Sequence, residues 1–253
     1  MTKIVMLAGQ GDTSKIVYNE LRQYFQIMAV IEEGKPSGFQ LIKKRITRLG
    51  LRIVFGQILF ILYLKYLKKV SSKKIDRIKK SHNLDDSSYS PYIHFKIDSV
   101  NNNWVAKKLN ELKPDIVIVN GTRIIHESIL SSLTVPFVNI HAGITPCYRG
   151  VHGGYWALAE NNPHLCGVTV HLIDTGIDTG KIIHQSTIQP TKQDNFLTYP
   201  YLQIAAALPI LRRAIDDISL GKLKNFKSNL PSKLYSHPTL FEYLKNYVLR
   251  KVK

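Results

Sequence analysis

The chain opens with a short β-branched run at residues 3–8, then a turn, GQGD, then an amphipathic stretch carrying Ile16, Val17, Leu21 and Phe25. A second apolar run, Ile27–Ile31, ends in Glu32, Glu33 and Gly34. This is the β-turn-α-β opening of an open parallel sheet. The pattern breaks over about 35–90 and resumes as a strand at His94–Ile97, a helix at Asn103–Leu112, strands at Asp115–Val119 and Phe137–His141, and a short helix near His126–Leu133 between them. Beyond a Gly- and Pro-containing loop the sequence predicts a helix at Tyr155–Glu160, strands at Gly167–Ile173 and Lys181–Ile188, a long helix at Tyr201–Ile218 kinked at Pro209, and a last helix at Thr239–Leu249. Alternating strands and helices with short connections predict a doubly wound, mostly parallel α/β sheet. The domain is expected over 1–220, with a helical insert at about 35–90 and a helical extension over 221–253.

At 253 residues with 44% hydrophobic content, the chain can bury a full core. Two cysteines, Cys147 and Cys166, make neither a disulfide framework nor a zinc pair. The nine histidines show no metal-ligand spacing, so no metal is expected. MTKIVMLAG runs straight into a strand rather than a leader, and a cytoplasmic location is expected. GQGD reads as a bare βα turn, since it lacks the third glycine of a nucleotide-binding fingerprint.

Net charge changes the picture. The chain carries +17, and residues 41–80 hold thirteen Lys and Arg against a single acid, Asp76. The rest is close to ordinary. Within that segment Ile53–Leu64 is an uncharged run of 12 residues. As a helix it would be about 18 Å long, too short for a hydrocarbon core of about 30 Å. Its apolar residues lie nearly all round the helix, which excludes a purely solvated face. Two readings follow: a helix packed on the domain or on a partner subunit, or one lying on an anionic membrane surface through residues 43–80, at the inner face of the membrane.

The chemistry concentrates between Asn139 and Gly180. Asn139 and His141 stand two apart at a strand end and so face one side of the sheet. Arg149, Gly150 and His152 follow in a loop, His171 ends another strand, and Asp178 sits in the turn DTGIDTG. An amide and an imidazole can hold a developing oxyanion, while a carboxylate sets the imidazole's charge and accepts a proton from an amine nucleophile. Alone, each of these residues is as readily structural. Cys147 has no base beside it in sequence and is expected to pack.

Asn139-Ile-His141, Pro146-Cys-Tyr-Arg149-Gly150, Gly167-Val-Thr-Val-His171 and Asp178-Thr-Gly180 resemble, in order and spacing, the catalytic core of the folate-dependent formyltransferases, the family that includes glycinamide ribonucleotide, methionyl-tRNA and sugar-nucleotide formyltransferases. The resemblance implies formyl transfer from 10-formyltetrahydrofolate to an amine. Asn139, His141 and Asp178 would be catalytic, with Asn139 and His141 on the oxyanion and His171 in support. Folate would lie against Thr122, Arg123, Ile124 and Ile125 and against Asp174, Thr175, Gly176 and Ile177. Arg149, Gly150 and His152 would approach the acceptor. The loop Ala142-Gly-Ile-Thr-Pro146 departs from the family's usual Ser-Leu-Leu-Pro wording, which leaves the acceptor open. An amino sugar, nucleotide- or lipid-linked, in surface glycan synthesis is the leading choice. Methionyl-tRNA, glycinamide ribonucleotide and hydrolysis of the formyl donor are the alternatives within the family. The 33 residues after Leu220 are too few for the C-terminal barrel of the tRNA branch, so nucleic acid is not an expected partner. A catalytically idle membrane- or RNA-binding module is the non-enzyme alternative.

Overall fold

The computed structural model describes residues 1–35 and 38–253. In chain order the elements are β1 (Lys3–Gly9), α1 (Asp12–Leu21), β2 (Gln26–Glu33), α2 (Gly38–Leu49), α3 (Leu51–Ser81), β3 (His94–Ile97), α4 (Asn103–Leu112), β4 (Ile116–Asn120), α5 (Glu127–Leu130) and β5 (Phe137–His141). They continue with β6 (Arg149–Gly150), α6 (Gly153–Ala159), β7 (Gly167–Leu172), β8 (Ile182–Thr187), α7 (Tyr199–Ser219), β9 (Leu234–Tyr235) and α8 (Leu240–Arg250).

Seven strands form one sheet in the order β3-β2-β1-β4-β5-β7-β8. The pairings from β3 to β5 are parallel, and those of β5 with β7 and β7 with β8 are antiparallel. This is the expected doubly wound α/β class, with an antiparallel flank. The central strands are buried on both faces, so β1 and β4 read as unbroken apolar runs rather than alternations. Ile4, Met6 and Ala8 pack under α1 and α7, and Val5 and Leu7 pack against Val105, Leu109 and Ile129 on the other side. Strand order reverses at β1/β4, where the chain runs outward both ways; ligands of such sheets bind at the carboxyl ends of the strands near that point. Gly9 is needed there for packing: a Cβ would lie 1.9 Å from the carbonyl oxygen of Gly121. Asp12 in the same turn is held by Lys79 (3.0 Å) and the Tyr201 hydroxyl (2.8 Å).

The segment expected as an insert is the crossover between β2 and β3. Its apolar run lies inside a single helix of 31 residues, α3, separated from α2 by Gly50 at φ +84°. One face of α3 is buried, through Val54, Phe60, Leu67, Ile75 and Ile78. Phe60 sits in an aromatic cluster with Phe196 and Tyr243, at centroid distances of 4.9 and 5.0 Å. The extension after α7 closes on this cluster: Thr239 and Glu242 form a capping box at the start of α8, and Tyr243 inserts between α3 and α6. α7 runs through Pro209 without ending there. No helix among the described residues is long and apolar enough to cross a membrane.

Candidate active site

The carboxyl ends of β4 and β5 open into a cleft of about 590 Å³. Asn139 and His171 are directly paired across the antiparallel β5–β7 register, which puts both side chains at its floor. Asp178 reaches the same point from the loop after β7. Its backbone is left-handed (φ +51°), a conformation that Asp tolerates better than most residues. Gly180 is fixed by contact, since a Cβ there would fall 1.7 Å from the Leu172 carbonyl oxygen.

The hydrogen bonds assign the proton positions. The Nδ1–H of His171 donates to the Leu172 carbonyl at 2.7 Å, because a carbonyl can only accept. Nε2 of His171 is then the acceptor for Nδ2 of Asn139 at 3.1 Å. The same Asn139 nitrogen makes a longer contact, 3.4 Å, to Oδ1 of Asp178. Asn139 therefore holds one amide hydrogen firmly and the other loosely, and the loose one borders the cleft.

Asp178 is the hub. Oδ2 accepts the backbone N–H of Gly150 at 2.9 Å and faces Nδ1 of His141 at 3.3 Å, while Oδ1 lies 3.6 Å from Nε2 of His171. Burial works to raise its pKa. The His171 and His141 rings, whose protonated forms each present an N–H to the carboxylate, and the Gly150 N–H outweigh it and hold the carboxyl below its ordinary range. His141 is 5% exposed and stands behind Asp178 rather than on the cleft wall. Its Nε2–H donates to the Tyr148 carbonyl at 2.6 Å, in a loop closed tightly enough that a Cβ on Gly143 would meet that ring nitrogen at 2.8 Å. Burial pushes the imidazole's pKa down, against the opposing pull of Asp178. Neither nitrogen of His141 points into the cleft.

Of the loop residues singled out from sequence, Thr122, Arg123, Ile124, Ile125, Asp174, Gly176 and Ile177 line the cleft, and Thr175 is exposed outside it. The Arg123 guanidinium is neutralised by Glu33, with Nε 2.7 Å from Oε2, so its charge is spent within the protein. Gly150 lies on the wall at φ +91°. Arg149 does not; its Nη1 donates to the Ile177 carbonyl at 3.0 Å and ties down the Asp178 loop. His152 also sits back, packed on Phe196 and hydrogen-bonded to His237 at 2.9 Å. Burial lowers both of these imidazoles, His237 to about 4. Cys147 and Cys166 are buried thiols whose pKa burial raises.

Two parts of the cleft escaped the sequence reading. β9 pairs with β6 beside the Asp178 contact, Arg149 opposite Leu234 and Gly150 opposite Tyr235, so Tyr235, Ser236 and His237 form one wall. Arg45 and Arg48 of α2 line another. Neither arginine has a carboxylate partner among the described residues.

A family model described as formyl transferase matches residues 57–199, starting within α3. Methionyl-tRNA formyltransferase from Kosmotoga olearia is 33% identical over 131 residues, 51% of this chain and 42% of that protein. The chain thus spans less than half the length of that relative. Among solved structures, an N-formyltransferase from Helicobacter canadensis, in complex with folinic acid and dTDP-3-aminofucose, superposes with a TM-score of 0.57 at 20% identity, covering 93% of this chain and 71% of that one. Glycinamide ribonucleotide transformylase 1 from Symbiobacterium toebii gives 0.58 at 19% identity, covering 93% and 95%.

Proposed function

Because the chain belongs to the formyl transferase family, we propose that it moves a formyl group from 10-formyltetrahydrofolate to the amine of a small polar acceptor, an amino sugar. The observation that carries the reading is the meeting of Asn139, His171 and Asp178 at the floor of one cleft, with His141 directly behind the carboxylate. The residues present fit the donor. Val119, Ile125 and Ile173 offer apolar walls for a flat ring, and the strand-end loops 122–125 and 174–177 supply backbone groups beside them. The donor would supply an activated formyl carbon.

The protein's part is to steady charge and move one proton. Asn139 offers the amide hydrogen that Asp178 holds only loosely to the carbonyl oxygen as that oxygen gains charge, and the bond to His171 keeps the amide plane aimed meanwhile. Asp178, ionised by its surroundings, accepts the proton that the attacking amine loses and would return it to the donor nitrogen as that nitrogen's bond to the formyl carbon breaks. His141 serves through Asp178: its Nδ1 lone pair faces the carboxylate, and a proton arriving between them removes the repulsion of two acceptors 3.3 Å apart. His141 is on this geometry a positioning residue, and the oxyanion contact falls to Asn139 alone. Gly150 fixes Asp178 from the acceptor side, while Arg149 and His152 act one layer back, on the Asp178 loop and on His237.

Arg45 and Arg48, without partners among the described residues, suit a phosphate carried by a nucleotide- or lipid-linked sugar. Methionyl-tRNA is the second reading, favoured by the relatives in sequence and by the basic segment 41–80. The test supplies 10-formyltetrahydrofolate with a panel of amino-sugar nucleotides, methionyl-tRNA and glycinamide ribonucleotide, and follows acceptor mass. Formylation of an amino sugar is the expected result; turnover of methionyl-tRNA alone would replace it with the second reading.

A further inference from the structure

The buried stripe of α3 leaves an opposite face that nothing among the described residues covers. At 100° per residue Leu51, Phe55, Leu62 and Tyr66 line up along it, and they are 69, 60, 53 and 64% exposed. α8 lies against the same half of α3, with Thr239 so close that a Cβ on Gly56 would meet it at 2.9 Å. Further along α3 the same outward line turns basic: Lys69, Lys73 and Lys80 continue it, with the acid Asp76 between the last two, all exposed. The face is thus apolar over one half and cationic over the other.

We infer that this face of α3 docks on an anionic lipid bilayer, lying in the headgroup region rather than crossing it. Charge selects the occupant. A second copy meeting this face with its own would bring together two segments of thirteen basic residues and one acid each, in mutual repulsion. A nucleic acid would satisfy the lysines and leave the phenylalanines and leucines in water. A membrane of anionic lipids satisfies both, since apolar side chains enter the acyl boundary while Lys and Arg remain among the headgroups. α3 is too polar over its full length to span. The docked face adjoins the cleft through Gly50: α2, on its far side, carries Arg45 and Arg48 on the cleft wall and leaves Ile42 and Ile46 exposed. This inference is independent of the acceptor, and its failure leaves formyl transfer untouched.

The full chain is tested by flotation with vesicles of phosphatidylcholine plus phosphatidylglycerol and with vesicles of phosphatidylcholine alone. Flotation is expected only with the anionic vesicles, and is expected to weaken as salt rises from about 0.05 to about 0.5 M. Phe55→Glu with Leu62→Glu should abolish it while the melting temperature holds, because both side chains are exposed. Lys69→Gln with Lys73→Gln should lower partitioning by about fivefold for each lysine. Protein that stays at the bottom with anionic vesicles at low salt overturns the inference. So does flotation of the Phe55→Glu/Leu62→Glu variant equal to wild type, or a wild-type dimer that this variant splits.

Discussion

Asp178→Asn isolates the carboxylate's charge with almost no change of shape. Asn tolerates the left-handed backbone at 178 as Asp does, so the loop should persist. What fails is the pattern of donors. The two carboxylate oxygens now accept from Gly150 and Asn139; an amide has one oxygen, so its NH2 must confront one of those donors. With the oxygen kept on Gly150, the bond weakens from a charged to a neutral acceptor, about 1 kcal/mol and so about fivefold. The NH2 then confronts the Asn139 NH2, whose second hydrogen the oxyanion needs. The lost base costs a further factor of about 10²–10³. Together kcat should fall about 10²–10⁴-fold, with folate affinity nearly unchanged. The acid limb of the rate profile carries a sharper sign. Burial lowers the His141 pKa and Asp178 works to raise it, so removing the charge lets that pKa fall further. Any limb set by His141 should move to lower pH. Single-turnover transfer to the acceptor found in the panel, followed from about pH 5 to 8, makes the measurement. A variant within threefold of wild type, or a limb displaced to higher pH, would refute the proton route.

Phe60→Ala empties the centre of the aromatic cluster from a residue with no exposed surface, and should cost about 3–5 kcal/mol, lowering the melting temperature by roughly 6–20 °C; a loss under about 1 kcal/mol in thermal melts would mean that α3 is an appendage rather than part of the core. His237 is held at about 4 by burial and by Arg45, whereas an unfolded histidine titrates near 6.5. Between those values the unfolded chain binds a proton that the folded one does not, so stability falls as pH drops. For His237 the loss is about 2 kcal/mol from pH 7 to pH 5, with His141 and His152 acting in the same direction. Urea midpoints at the two pH values should show a smaller difference in His237→Gln; identical pH dependence in variant and wild type would contradict the burial argument.

What could be read from the sequence was what is encoded locally. β1 and β4 announce themselves because strands buried on both faces are unbroken apolar runs. Asn139 and His141 fall on one side because strands alternate, and Asp178 stands among the glycines that its turn requires. The pairing of Asn139 with His171 depends on the register between two strands, which no local pattern carries. Alternation also says which side a residue faces but not how deep it sits: both residues meet Asp178, yet Asn139 borders the cleft and His141 lies behind the carboxylate, because the chain turns back at Gly143 and closes over the ring.

The hardest parts to read were those where distant segments complete the cleft. β9 has two residues and its partner β6 has two, too few for either to show a period, yet their pairing sets Gly150 on Asp178 from one side and Tyr235 on the cleft from the other. Arg45 and Arg48 were visible as charge, but composition alone cannot separate arginines that turn inward to a ligand from lysines that stay in solvent. The same ambiguity held for α3. A helix apolar nearly all round is a helix with two demands, and only the packing reveals that the core meets one of them, at Phe60, while Phe55 and Leu62 on the other side remain in water. An uncovered apolar face costs free energy in proportion to its area. Its position beside the most basic segment of the chain is therefore a reason to seek its partner among anionic, apolar surfaces.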